Sequence, residues 1–425
     1  MGDGWAFGLA TPAGNGASLF TATLRRSPED FRVEERLSFR PDGRGEHLWL
    51  YLEKRLLNTF DVVTLLAEVY GVGSADIGVS GLKDRRAVTR QWFSVRTSKG
   101  VAPLETALAG GAAQALGRVA PTAARPRPAV AEHAGEREHG GYDAAESRRA
   151  DVGATETSER AALGIVEALR HARKLRRGTH VANRFRITLR DLVPSVALVS
   201  SAGRERPTSE PAATAFARRV DERLERLRAG GFPNYIGPQR FGRGGRNVER
   251  ARAWFRNPKR PTTRLQRGLW LSVARSALFN RVCAARVEDG SWRTLLPGEP
   301  VMLDGTRGYF VPDDGAGRAE ARELQARLER GDVHPSGPWW GRGETLAGEN
   351  CRSVEERALL GGEDLRVGLE RAGLAQERRA LRGLPRELSV ERPEPGALSL
   401  AFELPPGVFA TTLLAELGDC HVAGG

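Results

Sequence analysis

The segment with the clearest potential for chemistry is short and charged, GLKDRRAVTRQWFSV, from Gly81 to Val95. In it, Asp84 follows Lys83 and precedes Arg85 and Arg86. Three neighbouring cations favour the ionised form of a carboxylate. An ionised aspartate can act as a nucleophile or stabilise developing positive charge, but it cannot donate a proton. The alternative interpretation is that Asp84 is only a turn residue in an exposed charged loop.

A second candidate group lies on a strand that follows a basic run. The run, RHARKLRRG, includes Lys174 and predicts either a solvated face or contacts with phosphates. The alternation that follows, ANRFRITLRDL, places Asn183 and Phe185 on one face, because side chains two positions apart on a strand emerge on the same side. Periodicity alone predicts only that Phe185 is buried, so a core position is the default interpretation.

Two further stretches combine aromatic and cationic residues. LRRSPEDFRVEERL places Phe31 on one face of an alternating strand shortly after Arg25, with a buried core aromatic as the alternative. The glycine-rich loop FPNYIGPQRFGRGGRN contains Arg240. Exposed backbone N–H groups and guanidinium groups in such a loop would suit a sugar-phosphate backbone.

Taken in this order, these stretches resemble the motifs of the TruD family of transfer-RNA pseudouridine synthases. The matching patterns are P-x-D-F, G-x-K-D-R-x-A-V-T-x-Q-W, R-H-x-R-K-L-R-x-G with N-x-F-x-I-x-L-R, P-N-Y-x-G-x-Q-R-F-G and F-x-L-P-x-G-x-F-A-T. The resemblance implies that Asp84 is the catalytic residue and that Phe31, Asn183 and Phe185 belong to the active-site cleft. Arg25 falls where the family commonly has a lysine.

The implied reaction breaks the bond between ribose C1′ and uracil N1, rotates the base and rejoins it through C5. It needs no redox change and no group donor, so we expect no cofactor and no metal. The target uridine must leave its stack, and Phe185 and Phe31 would supply a replacement surface. Asn183 would bind the base or hold Asp84. Asp84 would either attack the nucleoside or stabilise positive charge at C1′ and accept a proton from the sugar.

The other expected substrate-binding residues are cationic or polar. Lys83, Arg85 and Arg25 would keep Asp84 charged or hold a phosphate. Gln91 belongs to the Asp84 motif, and the remaining two, Lys174 and Arg240, would contact the RNA backbone.

The family resemblance implies transfer RNA as the partner and uridine 13 as the target. Two other classes of protein remain open: a non-catalytic RNA-binding or RNA-folding protein on the same scaffold, and an acid hydrolase with two carboxylates. Asp84 together with Gln91, Asn183 and Phe185 favours the enzyme, since affinity alone would need the arginines more. The hydrolase would need a second acidic motif, and the sequence offers none.

Composition bounds the remaining properties. A formal charge of +12 and a pI near 10.3 favour an anionic partner, although only five of the 65 basic residues are lysines, which indicates a coding bias toward arginine. No apolar run reaches about 18 residues and no signal-peptide pattern precedes residue 18, so we expect no membrane segment. Three widely separated cysteines fit a reducing cytoplasm. We expect a monomer.

The expected fold class is α+β: a pseudouridine-synthase-like mixed, mostly antiparallel sheet with flanking helices, plus an inserted α/β domain. The expected boundaries are a flexible N-terminus at 1–17, a first part of the catalytic domain at 18–235, the inserted domain at 236–383 and a catalytic return at 384–425. A stretch at about 101–158 is poor in aliphatic residues and predicts a flexible insertion. RNA would bind in a basic cleft between the catalytic and inserted domains.

Overall fold

The structure is a computed structural model, and it describes residues 13–112, 160–195, 211–258, 262–313 and 318–423. The chain divides into two compact units. The small unit is Pro41–Arg176, and the large unit combines residues 1–40 with residues 177–425.

Strands and helices are numbered here in chain order. The strands are β1 (Phe20–Leu24), β2 (Phe31–Arg36), β3 (His47–Arg55), β4 (Gly78–Val79), β5 (Val88–Arg96), β6 (Ala162–His171), β7 (Ala182–Pro194), β8 (Phe232–Pro233), β9 (Val301–Leu303), β10 (Tyr309–Phe310), β11 (Val333–His334), β12 (Ser336–Trp339), β13 (Glu377–Ala380), β14 (Arg382–Gly383), β15 (Arg386–Glu391), β16 (Leu398–Leu404) and β17 (Asp419–Val422). The α-helices are α1 (Thr59–Tyr70), α2 (Ala102–Ala109), α3 (Ala212–Gly230), α4 (Arg246–Arg256), α5 (Arg264–Glu288), α6 (Arg318–Arg330), α7 (Glu349–Ala358), α8 (Glu363–Arg371) and α9 (Ala410–Ala415).

The small unit packs two helices on one face of an antiparallel sheet. β3 lies between β5 and β6, and β4 pairs with β5. Alternate residues of β3 starting at Leu48 face α1, because a strand repeats its side-chain direction every two residues. α1 begins after Asn58, whose backbone N–H donates to the Asp61 carboxylate (2.7 Å), and ends at Gly71 in the left-handed region (φ 69°).

The start of the stretch expected to be flexible, from about residue 101, is helical. Residues 102–109 form α2, and Leu104 is fully buried in the same core as α1. This single leucine anchors the short helix in the core. The low aliphatic content of the segment as a whole does not reveal it. Residues 113–158 lie outside the described residues.

In the large unit, the long strand β7 is the centre of the main sheet. β16 pairs antiparallel with one edge of β7, and β15 continues the sheet beyond β16. β2 and β1 follow one another along the other edge of β7, and β17 pairs in parallel with β1. Mostly antiparallel pairing with flanking helices confirms the expected fold class.

The second core of the large unit is helical. Residues of α4, α5 and α8 surround Phe279 and Val282, with the short pairs β12–β13 and β8–β14 alongside. Tyr235 and Phe241 are also buried in this core. The glycine-rich loop expected to face RNA is therefore exposed only in part, because its aromatic residues stabilise the helical core.

Close packing also fixes the start of the large unit. The Glu416 carboxylate accepts the backbone N–H groups of Gly14 (3.0 Å) and Asn15 (2.7 Å), and the Asn15 amide donates to Gly231 O (3.1 Å). The expected flexible N-terminus is thus anchored from Gly14 onward, while residues 1–12 lie outside the described residues. In the part of the chain that the structure describes, no helix is both long and apolar enough to cross a membrane.

Candidate active site

The loop that contains Asp84 is fixed by a buried lysine. Residues 81–87 have no regular secondary structure, and Asp84 is half-buried. The Lys54 ammonium group, on β3, donates to the carbonyl oxygens of Leu57 (2.7 Å), Asp84 (2.9 Å) and Lys83 (3.4 Å). Lys54 has no exposed surface, and its burial lowers its pKa to about 8. Lys54 was not among the site residues predicted from the sequence.

A second set of buried groups holds the same loop from α1 and β5. The Thr59 hydroxyl donates to Gln91 Oε1 (2.9 Å) and accepts the backbone N–H of Lys83 (3.0 Å). The Gln91 amide also donates to the carbonyl oxygen of Gly81 (3.3 Å). Gln91 is fully buried, so its visible role is to support the loop. Its assignment to substrate binding stays a prediction.

Arg85 connects the Asp84 loop to a strained turn between β3 and α1. Its Nε donates to the carbonyl oxygen of Leu56 (3.2 Å). Leu56 has φ 56°, a left-handed conformation that costs free energy for a residue with a side chain. Lys54 and Arg85 therefore bind neighbouring carbonyls of one strained turn, and this turn and the Asp84 loop support each other.

In the large unit, an aromatic cluster brings together three residues that the sequence analysis selected. The rings of Phe31 and Phe185 meet edge to face, with centroids 6.2 Å apart, and the Arg25 guanidinium lies 4.0 Å from the Phe31 centroid. Phe185 also stacks on Phe402, a neighbour that the sequence analysis missed. Phe31 is 2% exposed and Phe185 is 8% exposed, so both rings are largely buried.

Asn183 lies at the start of β7, between Glu35 on β2 and Leu404 on β16. Its Nδ2 lies 3.4 Å from His180 Nε2. Its Oδ1 is buried and has no hydrogen-bond partner among the described residues. A buried acceptor without a donor is unfavourable unless a ligand supplies the donor, so this oxygen marks a candidate base-binding position.

A cavity of about 950 Å³ lies in the large unit next to this position. Its wall includes His180 and Val181, directly before β7, together with residues from 302–309, 377–384 and 405–408. Five arginines line it as well as two carboxylates, which makes the wall predominantly cationic: Arg275, Arg307, Arg378, Arg379 and Arg382. The segments expected to form the catalytic and inserted domains both contribute to it.

The motif residue Asn234 supports one wall of this cavity. Its Oδ1 accepts Arg379 Nη2 (2.8 Å), and its Nδ2 donates to the carbonyl oxygen of Ala380 (2.9 Å). Arg379 packs against Phe279 and Trp339, and burial lowers its pKa to about 10. Arg240 is close enough for its charge to lower the pKa of Arg379 further. The assignment of Arg240 to the RNA backbone stays a prediction, and Arg379 was not predicted from the sequence.

A buried histidine, His334, also lines the cavity. Arg382 Nε donates to His334 Nδ1 (3.2 Å), so His334 Nε2 carries the proton and donates to Asp304 (2.9 Å). Burial lowers the pKa of His334 despite the opposing effect of Asp304. This histidine is neutral in the folded protein.

Lys174 does not lie near Asp84. Its ammonium donates to the carbonyl oxygen of Ala75. Burial lowers the pKa of His47 at the start of β3, and the nearby Lys174 charge lowers it further. The carbonyl of Asp84 instead meets Lys54 at the other end of β3. At about 3.3 Å per residue, these two ends are on the order of 20 Å apart. A phosphate contact by Lys174 stays a prediction, for a position remote from the carboxylate.

Comparison with known proteins identifies the class. The family model for tRNA pseudouridine synthase D (TruD) matches residues 16–109, 150–250 and 259–417. The chain therefore belongs to the TruD family of tRNA pseudouridine synthases, which are isomerases. The interruption from 109 to 150 falls within the segment whose composition predicted an insertion.

Individual relatives cover nearly the whole chain. A tRNA pseudouridine synthase D of Nitrosococcus oceani is 38% identical over 95% of this chain and 92% of the relative. A tRNA pseudouridine synthase D of Pseudomonas aeruginosa is 36% identical over 98% of this chain and 96% of the relative. A crystal structure of a candidate tRNA pseudouridine synthase D from Methanosarcina mazei shares the fold, with a TM-score of 0.61, 17% identity and coverage of 96% and 95%.

Proposed function

We propose that this protein converts uridine 13 of transfer RNA to pseudouridine and that Asp84 is its catalytic carboxylate. One observation carries the proposal: the irregular loop around Asp84 is held on both sides by buried side chains, Lys54 on one side and Thr59 with Gln91 on the other. Fixing an irregular loop in this way is useful where one side chain must be presented in a defined position.

The proposed chemistry places Asp84 at the sugar. The bond between C1′ and N1 breaks, the base rotates, a bond forms between C1′ and C5, C5 loses its proton and N1 gains one. The ionised carboxylate either attacks the nucleoside covalently or stabilises positive charge at C1′ and accepts a sugar proton. Lys83 and Arg85, the sequence neighbours of Asp84, place positive charge beside the carboxylate that both routes use.

We assign recognition of the base to Asn183 and Phe185. Asn183 Oδ1 would accept the N3–H of uracil, since this buried oxygen has no donor among the described residues. Cytosine has no hydrogen at N3, so the same contact would favour uridine. Phe185, backed by Phe402, would offer a flat apolar surface to the flipped base.

We assign the RNA backbone to the cationic cavity. Phosphates attract arginines regardless of sequence, and guanidinium groups suit their geometry. Arg307 is exposed at this wall and is free to move toward a phosphate, whereas Arg378 and Arg382 are buried within the protein. For the compartment, we keep the reducing cytoplasm suggested by the cysteines, none of which forms a disulfide among the described residues.

The experiment measures tritium release from transfer RNA labelled at uracil C5, because C5 must lose its hydrogen during the reaction. Wild-type protein should release label, and a transcript with cytidine at position 13 should release almost none. Asp84→Asn should bind transfer RNA normally but lose at least about 1,000-fold in rate. Asp221→Asn removes the same charge from the exposed face of α3 and serves as the matched control.

The outcomes separate the parts of the proposal. Equal release by wild type and Asp84→Asn would remove Asp84 from the mechanism. Undiminished release from the cytidine transcript would move the target away from position 13. Binding without release from any RNA would favour a non-catalytic RNA-binding protein.

A further inference from the structure

Lys54 occupies a place where the strand pattern predicts an apolar residue. It follows Leu48, Leu50 and Leu52 on the face of β3 that packs against α1, and it is as fully buried as Leu50 and Leu52. A buried ammonium group is unfavourable unless its donors are satisfied. Since a leucine or methionine would complete this face at no such cost, the charge calls for an explanation beyond core packing.

The contacts of the ammonium group supply that explanation. An ammonium group has three N–H donors, and Lys54 directs them to three carbonyl oxygens, those of Leu57, Lys83 and Asp84. Lys54 makes no ion pair with a side chain of the described residues, so its positive charge is not neutralised by a direct partner. Two of its three hydrogen bonds end on the peptide groups next to the Asp84 side chain.

The Asp84 carboxylate is also within electrostatic range of Lys54. Burial is the main cause that lowers the pKa of Lys54 to about 8, the charges of Asp84 and Asp61 raise it, and the charge of Lys83 lowers it. The attraction is mutual, so the Lys54 charge also acts on the Asp84 carboxylate.

We infer that Lys54 is a positioning residue for catalysis, whose buried ammonium group fixes the backbone on both sides of the Asp84 Cα atom and places a positive charge near the carboxylate. This inference rests on the proposed function of Asp84. It also makes a separate prediction: a variant that folds normally but lacks the charge at position 54 should turn over more slowly.

The pH dependence separates this role from a structural one. The pKa of Lys54 is about 8 in the folded protein, against an ordinary value of 10.5. Between these values the unfolded chain keeps a proton that the folded chain has lost, so this group makes the fold more stable as pH rises through the window. Turnover should fall as pH rises through about 8, while this group causes no loss of stability.

The first test compares Lys54→Met with Lys99→Met. Methionine fills the space of the lysine stem without charge or donors, and Lys99 is an exposed lysine of the small unit. Lys54→Met removes a buried charge but leaves three carbonyl oxygens without this donor, so its free energy of unfolding should stay within about 3 kcal/mol of wild type, or about 150-fold in the unfolding equilibrium constant. It should bind transfer RNA within about 3-fold of wild type. Its kcat should fall about 100-fold with little change in KM, which is the scale for removing one catalytic electrostatic group. Lys99→Met should match wild type.

The second test uses the wild-type chain and an exchange measurement. The kcat of wild type should decline above about pH 8, and Lys54→Arg, whose guanidinium stays charged, should restore part of the activity lost in Lys54→Met and lack this decline. Amide hydrogen exchange of residues 81–87 should be faster in Lys54→Met than in wild type.

The results also separate this inference from the proposed function. A fully active Lys54→Met protein, or a wild-type kcat that is constant from pH 7 to about 9.5, would overturn the role of Lys54 and leave Asp84 in place. If Asp84→Asn proves as active as wild type, the proposed function fails, and the exchange measurement still decides whether Lys54 fixes the loop. If Lys54→Met does not fold, the wild-type pH profile decides.

Discussion

Phe185 stacks on Phe402 with ring centroids 5.3 Å apart and an angle of 24° between the planes. Both residues lie on paired strands, β7 and β16, at directly opposite positions. Phe402 is 1% exposed and Phe185 is 8% exposed, so the stack has an inner and an outer ring. The outer ring is the one that a flipped base could cover.

Replacing the outer ring should affect activity more than stability. Phe185→Leu keeps most of the volume but removes the flat surface, so we expect turnover to fall about 10-fold and the free energy of unfolding to fall by about 1 kcal/mol. Phe402→Leu is the control, with a similar loss of stability and turnover within about 2-fold of wild type. Tritium release and urea unfolding measure the two effects, and the reverse ranking would restore a purely structural role for Phe185.

Replacing Asn183 should lower activity more than stability, whereas replacing Asn234 should lower stability. Because Asn183 Oδ1 has no partner among the described residues, Asn183→Ala should leave the free energy of unfolding within about 1 kcal/mol of wild type, yet lower kcat/KM at least 10-fold, or about 1.4 kcal/mol. Asn234→Ala breaks bonds to Arg379 and Ala380 and should cost about 1–3 kcal/mol of stability. A stability loss for Asn183→Ala equal to that of Asn234→Ala would argue against base binding.

Thr59 should be needed for the order of the Asp84 loop. Thr59→Val preserves shape but leaves the Lys83 N–H and Gln91 without their shared hydroxyl, so we expect a loss of about 1–3 kcal/mol and faster amide exchange in residues 81–87. Thr64→Val, on the exposed side of the same helix, should change stability by no more than about 0.5 kcal/mol. Equal effects of the two substitutions would show that the hydroxyl bridge has no special importance.

His334 should make the folded state sensitive to acid. Burial lowers its pKa below the ordinary value of 6.5, so below about pH 6.5 the unfolded chain binds a proton that the folded chain does not, and stability falls as pH decreases. Urea unfolding at pH 7.5 and 5.5 should show this decrease, and it should be smaller in His334→Gln. His421→Gln, at an exposed position of β17, should retain the full decrease. An unchanged decrease in His334→Gln would assign the acid sensitivity to other groups.

Arg307 should contribute to RNA affinity through charge alone. Arg307→Met should weaken transfer-RNA binding several-fold and reduce the slope of log affinity against log salt by about 1. Arg322→Met removes the same charge from an exposed position on α6, outside the cavity wall, and should leave the slope unchanged. Both variants should unfold at the wild-type temperature, and identical salt slopes would argue against phosphate binding in the cavity.

Local sequence patterns predicted much of the fold. The alternation of buried residues from Phe31, the start of the first helix after Asn58 and the end of α3 near Gly230 all follow from side-chain periodicity and helix-end residues. The glycine-rich loop was expected to face RNA, but less of it is exposed than this requires. Periodicity does not show that Tyr235 and Phe241 pack against helices much later in the chain.

Some site residues could be predicted from the sequence and others could not. Motif resemblance selected Asp84, Asn183 and Phe185, but it gave no reason to select Lys54. A signal was present, since a lysine at the end of an apolar face is unusual in a chain with only five lysines. Lys174 was selected because it belongs to a motif, but the sequence does not show where this residue lies in the fold. In the structure it lies near the start of β3, far from Asp84.

The register of β2 has a consequence for synthesis on the ribosome. Phe31 pairs with Ile187 and Glu35 with Asn183, roughly 150 residues later in the chain. At about 5–20 residues per second, β7 is made on the order of 10 seconds after β2. During that delay the charged residues of β2, Arg32, Glu34 and Arg36, would discourage pairing with the wrong strand and leave the edge open for β7.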